Sequence, residues 1–206
     1  LVPIDRLTDL ASLPGVVLVE PLVRVFPVQN DLPVGSLPNQ VVAQVGSYTT
    51  QGVVASNANA WHAAGITGAG VTVAVIDGGF ANYTTLQSMG ELPPSPRLTT
   101  LGTIYSSAHG SGVAEIVYDM APGINMILVS PASGTEMAQR IRDLADFPLA
   151  TRPRVITSSI GYYNLEPGDG TGAVSSAIAY AESKGVLYTQ AAGNQAQYNW
   201  QNTFSD

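Results

Sequence analysis

The chain has 206 residues, of which 45% are hydrophobic, so it can bury a sizeable core and is not a disordered tail. Its formal net charge is −7, and it has only eight Lys and Arg, scattered along the sequence, which argues against binding to the phosphates of a nucleic acid. It has no cysteine, which excludes disulfides, thiolate metal sites and a cysteine nucleophile, and no apolar run approaches the roughly 18 to 20 residues of a membrane span.

The N-terminal part of the chain divides into two predicted regions. Residues 1–28 combine a short helix over residues 6–12 with a turn and an apolar strand over residues 16–19. In residues 29–56 prolines and glycines interrupt every periodic pattern, which predicts a linker or an extended surface arm without catalytic residues. The sequence starts at Leu1, and no basic segment precedes an apolar run, so we expect a processed or excised piece without a signal peptide.

Residues 57–206 are predicted to form the main domain, in which apolar strands alternate with helices. A short helix over residues 57–64, with Asn57 as N-cap and Gly65 as its stop, precedes the first core strand. The elements that follow are strands over residues 71–76, 124–129, 155–157 and 186–190, and helices over residues 109–118, 135–147 and 172–184. Continuous Val and Ile runs separated by amphipathic helices predict an α/β fold with a mostly parallel sheet covered by helices on both faces.

Polar side chains follow several of the predicted strands. These residues are Asp77, Ser158, Ser159 and Asn194. In a parallel sheet, ligands bind beyond the carboxyl ends of the strands, so we expect these side chains at the ligand-binding edge. From its position alone, Asp77 is either a functional carboxylate or a cap for the next turn. Asn194 alone is more simply explained as a residue that turns the chain.

His109 begins a glycine-rich segment that leads into a helix. A lone histidine is more often structural than catalytic, but the small residues Gly110-Ser-Gly112 allow another backbone or a substrate to approach closely. The helix residues expected to face the core are Val113, Ile116 and Val117. His62, the other histidine, lies beside Trp61 on the first helix of the domain and is expected to be a surface or packing residue.

The segment Ser133-Gly-Thr-Glu-Met-Ala138 lies at the start of the helix predicted over residues 135–147. Ser133 and Glu136 have the spacing of a capping box, which predicts a helix start. No Gly-x-Ser-x-Gly segment occurs anywhere in the chain, and no His and Cys cluster could hold a metal.

Three segments are informative as a set. A buried apolar strand ends at Asp77-Gly78-Gly79, His109-Gly-Ser-Gly-Val-Ala114 begins a helix, and Ala191-Ala-Gly-Asn194 follows the last predicted strand. This order of Asp, His and Asn resembles the subtilisin-like serine peptidases (subtilases). The chain departs from that family's pattern at Gly78, where Ser or Thr is usual, and at Ser111, which replaces Thr. Residues 10–21 are similar to the end of the inhibitory propeptide of many subtilases, with an edge strand of the main domain as the alternative interpretation.

The resemblance implies a role for each residue of these segments. Asp77 would orient His109, His109 would take and return a proton, and Asn194 would stabilise the oxyanion. Ser159 and Gly161 would line the cleft in which an extended peptide adds a strand by main-chain hydrogen bonds. A wall of the specificity pocket would consist of Ala191, Ala192 and Gly193. The implied fold is the three-layer subtilisin-like fold, incomplete at its C-terminus, with residues 57–206 as the N-terminal two thirds of the catalytic domain.

The resemblance also implies an activity, a serine endopeptidase that cleaves peptides or proteins and is secreted or exposed at the cell surface. The family's serine lies in a Gly-Thr-Ser-x-Ala segment, which these 206 residues lack, so we expect a fragment that is inactive alone. Two alternatives stay open: a second chain supplies the serine, or a non-catalytic subtilase-like module acts in binding or in self-assembly with its own copies. No cofactor is evident; calcium is frequent in the family, but no Asp-rich loop here resembles a complete site.

Overall fold

The structure is a computed structural model that describes residues 6–14, 16, 26–27, 46–162 and 165–194. Of the strand predicted over residues 16–19 only Val16 is among these residues, and most of the predicted arm lies outside them. In chain order the described elements are α1 (Leu7–Ala11), β1 (Phe26–Pro27), α2 (Gly52–Ala55), α3 (Ala58–Ala63), β2 (Thr72–Ile76), α4 (Tyr83–Met89), β3 (Leu98–Leu101), α5 (His109–Met120), β4 (Asn125–Val129), α6 (Gly134–Ala145), β5 (Val155–Ser158), β6 (Ile160–Gly161), α7 (Ala173–Ser183) and β7 (Leu187–Gln190).

The central sheet contains five parallel strands in the spatial order β3-β4-β2-β5-β7. The first core strand of the sequence, β2, is therefore in the middle, and its last residue, Ile76, pairs with Val129 of β4 and Ser158 of β5. Because all five strands run in the same direction, their carboxyl ends meet at one edge. The predicted parallel sheet is confirmed, and this edge is where a ligand of such a sheet binds.

Both faces of the sheet are covered by helices. On β2, Val73 and Val75 pack with side chains of α5, whereas Ala74 and Ile76 pack with side chains of α6 and α7. This alternation follows from the two-residue period of a strand. All five residues of β2 are buried as a result. The α/β fold with helices on both faces is therefore confirmed, and β2 is a rigid central support for the residue that follows it.

Several local predictions differ from the structure. Asn57 directly precedes α3 and is its N-cap residue, as predicted, but its backbone is left-handed, with φ of 63°, and its side chain makes no capping hydrogen bond. Ile116 is 50% exposed and does not face the core, because it lies on the outer side of α5. The helix α4 and the strand β3 were not predicted, since α4 buries no residue fully and β3 buries only Leu98. Without a repeated apolar face, neither has a sequence signal.

The helix start predicted at Ser133 is confirmed. The Ser133 Oγ accepts a hydrogen bond from the Glu136 N–H at 3.2 Å, and the Glu136 carboxylate accepts one from the Ala132 N–H at 2.9 Å. The first bond satisfies a backbone donor that the first turn of α6 would otherwise leave unpaired, and the second holds the residue that precedes the N-cap. The segment is thus a helix cap, as its spacing indicated.

The last part of the predicted arm packs against the domain. Val53 of α2 is fully buried, the Glu91 carboxylate accepts the Ser47 N–H at 2.6 Å, and the Asp119 carboxylate accepts the Thr50 N–H at 2.6 Å. Gly46 has φ of 69° and lies directly against the Glu91 carboxylate, where a side chain would collide. The boundary between arm and domain stays a prediction, but residues 46–56 are held by the domain. No described helix has the length and apolar character needed to span a membrane.

We expect the carboxylates beneath this arm to make the protein less stable as the pH rises. Burial, followed by repulsion from Glu91 and Asp119, raises the pKa of Glu115, and burial is also the main cause that raises the pKa of Asp119. A raised carboxyl pKa means that the folded chain binds the proton more tightly than the unfolded chain does. The stabilising contribution is therefore complete below the ordinary pKa and is lost as the pH rises through the raised value.

Glu115→Gln should accordingly increase the free energy of unfolding at pH 7 by less than about 1 kcal/mol, since Glu115 is partly solvated. The advantage of the variant should shrink as the pH falls towards about 4. Urea unfolding at several pH values measures both effects. Glu182→Gln, at the exposed end of α7, is the control and should show no such trend. An advantage of Glu115→Gln that is the same at every pH would contradict the explanation.

Candidate active site

Asp77 lies at the carboxyl edge in the centre of the sheet. It follows β2 directly, is fully buried, and donates its backbone N–H to the Val129 carbonyl of β4 at 3.0 Å. That bond extends the strand pairing by one residue, so the backbone of Asp77 is held as firmly as β2 itself. The Gly78 N–H donates to Asp77 Oδ1 at 2.7 Å and helps to orient the carboxylate.

His109 begins α5 and contacts Asp77 directly. Its Nδ1 lies 2.8 Å from Asp77 Oδ2 and 3.0 Å from Oδ1. The loop before α5 is tied to the turn after Asp77, because the Phe80 N–H donates to the Tyr105 carbonyl and the Ala81 N–H to the Ser107 carbonyl, each at 2.9 Å. The two residues, far apart in sequence, are therefore brought together by paired backbone segments.

The environment of Asp77 opposes its ionisation, and its partners favour it. Burial raises the pKa of Asp77, while the hydrogen bond and charge of His109 and the Gly78 N–H act in the opposite direction. A buried carboxylate beside an imidazole fixes the tautomer and stabilises the imidazolium. Because the ring turns Nδ1 towards Asp77, Nε2 is the nitrogen able to exchange a proton with a reacting group. The pair has the geometry of a general base with its orienting acid.

The close approach of α5 to the Asp77 turn depends on glycine. A Cβ at Gly110 would collide with the Gly79 carbonyl and with the Asp77 side chain, and a Cβ at Gly79 would collide with the Ser107 backbone. Gly112 has open space around it, so the predicted close approach of another backbone holds for Gly110 but not for Gly112. Ser111 anchors the same turn by donating its hydroxyl proton to the Ala81 carbonyl at 2.6 Å.

Gly110→Ala should therefore destabilise the protein by about 1 to 3 kcal/mol, since the added methyl group pushes α5 away from Asp77. Gly112→Ala is the matched control, because Gly112 lies two residues further along the same helix. It should be neutral or stabilising by up to about 1 kcal/mol, because Ala favours the helix and meets no other group. Thermal unfolding of the two variants measures the difference. Equal stability of both variants would show that the close contact of Gly110 with Gly79 and Asp77 does not affect stability.

The other predicted site residues lie at the same edge of the sheet. Ala191 follows β7 and donates its N–H to the Ser158 carbonyl at 3.0 Å, so the chain beyond β7 still follows β5. Gly193 turns the chain with φ of 90°, and Asn194, which comes next, is partly buried. Ala192 is exposed. In the sheet only β5 separates β7 from β2, whose end carries Asp77.

Ser159 and Gly161 lie where β5 continues into β6. Gly161 pairs with Phe26 and Ile160 with Pro27, in an antiparallel two-stranded sheet. The Ile160 carbonyl also accepts a hydrogen bond from the Gln190 side chain at 2.6 Å. The segment predicted to pair with an extended peptide thus pairs with an extended segment of the chain's own N-terminal region.

Two buried hydroxyl groups flank the end of β2, and only one of them, that of Ser158, was among the residues predicted at this edge. Ser130 follows β4 and Ser158 ends β5; each is 2% exposed, and neither Oγ has a hydrogen-bond partner. Ser130 had no signal in the sequence beyond its place after an apolar run. His62 is a packing residue, with Nε2 3.0 Å from the Met120 carbonyl. In the described ranges no group of three or more His, Cys, Asp or Glu could hold a metal.

Comparison with known proteins gives one match to a family. The model of the subtilase family, peptidase family S8, matches residues 68–205. No curated protein matches the chain. A solved structure that is similar is the crystal structure of MycP1 from Mycobacterium smegmatis, with 22% identity, a TM-score of 0.39, and coverage of 91% of this chain and 53% of MycP1, so the chain spans about half of that protein's length. Because the family match covers well over half of the chain and includes Asp77, His109 and Asn194, the chain belongs to the subtilase family of peptidases.

Proposed function

We propose that this chain provides the acid, the base and the oxyanion amide of a subtilisin-like serine endopeptidase. The observation that carries the proposal is the contact of His109 Nδ1 with both oxygens of the buried Asp77, at 2.8 and 3.0 Å, at the carboxyl edge of a parallel sheet. An ion pair that only stabilises the fold could lie anywhere in the molecule. A general base must lie at the carboxyl edge of the sheet, because the substrate of such a fold binds there.

In the proposed reaction a serine hydroxyl attacks the carbonyl of the scissile peptide bond. His109 takes the serine proton at Nε2 and returns it to the leaving amine, while Asp77 stabilises the imidazolium. The Asn194 amide donates to the oxyanion of the tetrahedral intermediate. Since these 206 residues contain no Gly-Thr-Ser-x-Ala segment, the proposal assigns the nucleophile to a segment outside them.

The proposed substrate is an extended peptide that pairs with Ser159 and Gly161. The antiparallel pairing of Gly161 with Phe26 supports this, because it requires backbone donors and acceptors in the orientation that an extended peptide can use. It also supports a propeptide-like role for residues 1–28, in which the N-terminal region occupies part of the substrate edge. A wall of the specificity pocket is proposed to consist of Ala191, Ala192 and Gly193, because their small size leaves room for a side chain of the substrate.

A fluorophosphonate probe, which reacts with activated serines, tests the proposal. The 206-residue chain should remain unlabelled, whereas the full-length protein should be labelled at one serine outside these 206 residues and should hydrolyse an unstructured protein substrate. Labelling of a serine within this chain would contradict the assignment of the nucleophile. If the full-length protein is folded but neither labelled nor hydrolytic, the non-catalytic binding or self-assembly module is the better interpretation.

A further inference from the structure

Two buried hydroxyl groups without partners flank the end of the central strand. Ser130 follows β4, Ser158 ends β5, and β4 and β5 are the two neighbours of β2. A buried polar group that makes no hydrogen bond loses its contacts with water without compensation, so folded proteins rarely retain one without a reason. Each hydroxyl is therefore expected to have a polar group within reach.

The strand register separates the two serines. Ile76 pairs with Val129 and with Ser158, and side chains of paired residues in a parallel sheet lie on the same face. Ser158 therefore shares the face of α6 and α7. It lies there beside the Tyr188 hydroxyl, and this interaction partly offsets the burial that raises the pKa of Tyr188 to about 12. Ser158 thus lies near a polar group other than Asp77, although its Oγ makes no hydrogen bond.

Ser130 lies on the opposite face, one residue beyond Val129. Because the Asp77 N–H donates to the Val129 carbonyl, the pairing of β2 and β4 extends past Ile76, and Ser130 becomes the cross-strand neighbour of Asp77. The preceding residues of the two strands on this face, Val75 and Leu128, belong to one buried cluster together with residues of α5. The helix that carries His109 therefore covers Asp77 and Ser130 alike.

The Asp77 carboxylate can accept a further hydrogen bond. Oδ1 accepts a hydrogen bond from the Gly78 N–H and contacts His109 Nδ1, whereas Oδ2 contacts His109 Nδ1. A carboxylate has about four acceptor positions, and a buried one is costly unless donors occupy them. Gly78 has no side chain and can donate only its backbone N–H to the carboxylate. Strands about 4.8 Å apart bring a serine on the neighbouring strand within one side-chain rotation of the carboxylate.

We propose that Ser130 is a positioning residue: after rotation about its Cα–Cβ bond, its hydroxyl donates to Asp77 Oδ2 and holds the carboxylate in line with His109 Nδ1. The proposal deepens the proposed function and rests on it, because the orientation of Asp77 affects turnover only if His109 is the base. Ser130 does not touch the substrate. Its effect is exerted through Asp77.

The hydrogen bond itself can be tested without any turnover, by NMR of the full-length protein labelled with ¹³C at the Asp carboxyl carbons. Loss of a donor disfavours the carboxylate, so Ser130→Ala should raise the pKa of Asp77 further, by about half a unit to one unit. The proton shared by His109 Nδ1 and Asp77, which we expect far downfield in the proton spectrum, should shift or broaden in the same variant. Ser130→Thr, which keeps a hydroxyl, should restore both signals.

Ser158→Ala is the matched control, because it removes the other unpartnered buried hydroxyl from the opposite face of the sheet. It should leave the Asp77 titration and the downfield proton unchanged. In kinetics with a peptide substrate, Ser130→Ala should lower kcat about tenfold with little change in KM, and Ser130→Thr should recover most of it. Ser130→Gly repeats each measurement if Ser130→Ala folds poorly.

Two outcomes would overturn the inference: Asp77 and downfield signals in Ser130→Ala identical to those of the wild type, or equal shifts in Ser130→Ala and Ser158→Ala. In either case the hydroxyl is only a buried group whose removal changes stability. If the wild type shows no hydrolysis but the Ser130→Ala signals move as expected, the proposed function has failed while the contact between Ser130 and Asp77 stands. The two failures are therefore distinguishable.

Discussion

His109→Ala in the full-length protein should lower kcat for peptide hydrolysis by about 10⁴-fold or more, as is general when the base of a serine peptidase triad is removed. Without the imidazole no group in the described contacts of Asp77 can take the serine proton. Steady-state kinetics with an unstructured peptide measure the loss. His62→Gln is the control, because this histidine packs α3 against α5 at Met120, far along the helix from the site. It should reduce stability but leave kcat of the folded protein within a few fold of wild type.

Asp77→Asn extends the same test. The amide has nearly the shape of the carboxylate but can donate a proton to Nδ1, which would place the imidazole in the wrong tautomer, so we expect a loss of about 10⁴-fold. Because the two residues act as a unit, the double variant should be little worse than His109→Ala alone. Near wild-type turnover of His109→Ala would refute the triad assignment and leave the non-catalytic module.

Asn194→Ala should lower kcat by roughly 100- to 1000-fold, the effect known for an oxyanion-hole amide in subtilisin itself, with little change in KM. The reason is that the amide interacts with a charge that develops only in the transition state. Asn125→Ala is a matched control, since Asn125 begins β4 at the opposite edge of the sheet and should leave kcat unchanged. A rise in KM at constant kcat in Asn194→Ala would instead assign Asn194 to ground-state binding of the substrate.

Long apolar runs and strong local signals were sufficient to predict much of this fold from the sequence. The buried strand before Asp77, the Ser133 cap and the start of α5 at His109 were all predicted, because each depends on neighbouring residues: a continuous apolar run, capping-box spacing and a glycine-rich helix start. The order of Asp, His and Asn identified the family. Elements without a repeated apolar face, such as α4 and β3, left no such signal.

The sequence by itself determined which residue types are available for chemistry and in which order they occur along the chain. Only the tertiary structure decided which of them meet: the contact of His109 with Asp77, the need for glycine at position 110 but not at 112, and the pairing of Phe26 with Gly161. The same holds for Ser130, an unremarkable serine after an apolar run until the register of β4 against β2 sets it beside Asp77. The physical reason is that strand register and helix packing join residues far apart in sequence, and their contacts depend on cross-strand spacing and backbone clearance rather than on local pattern.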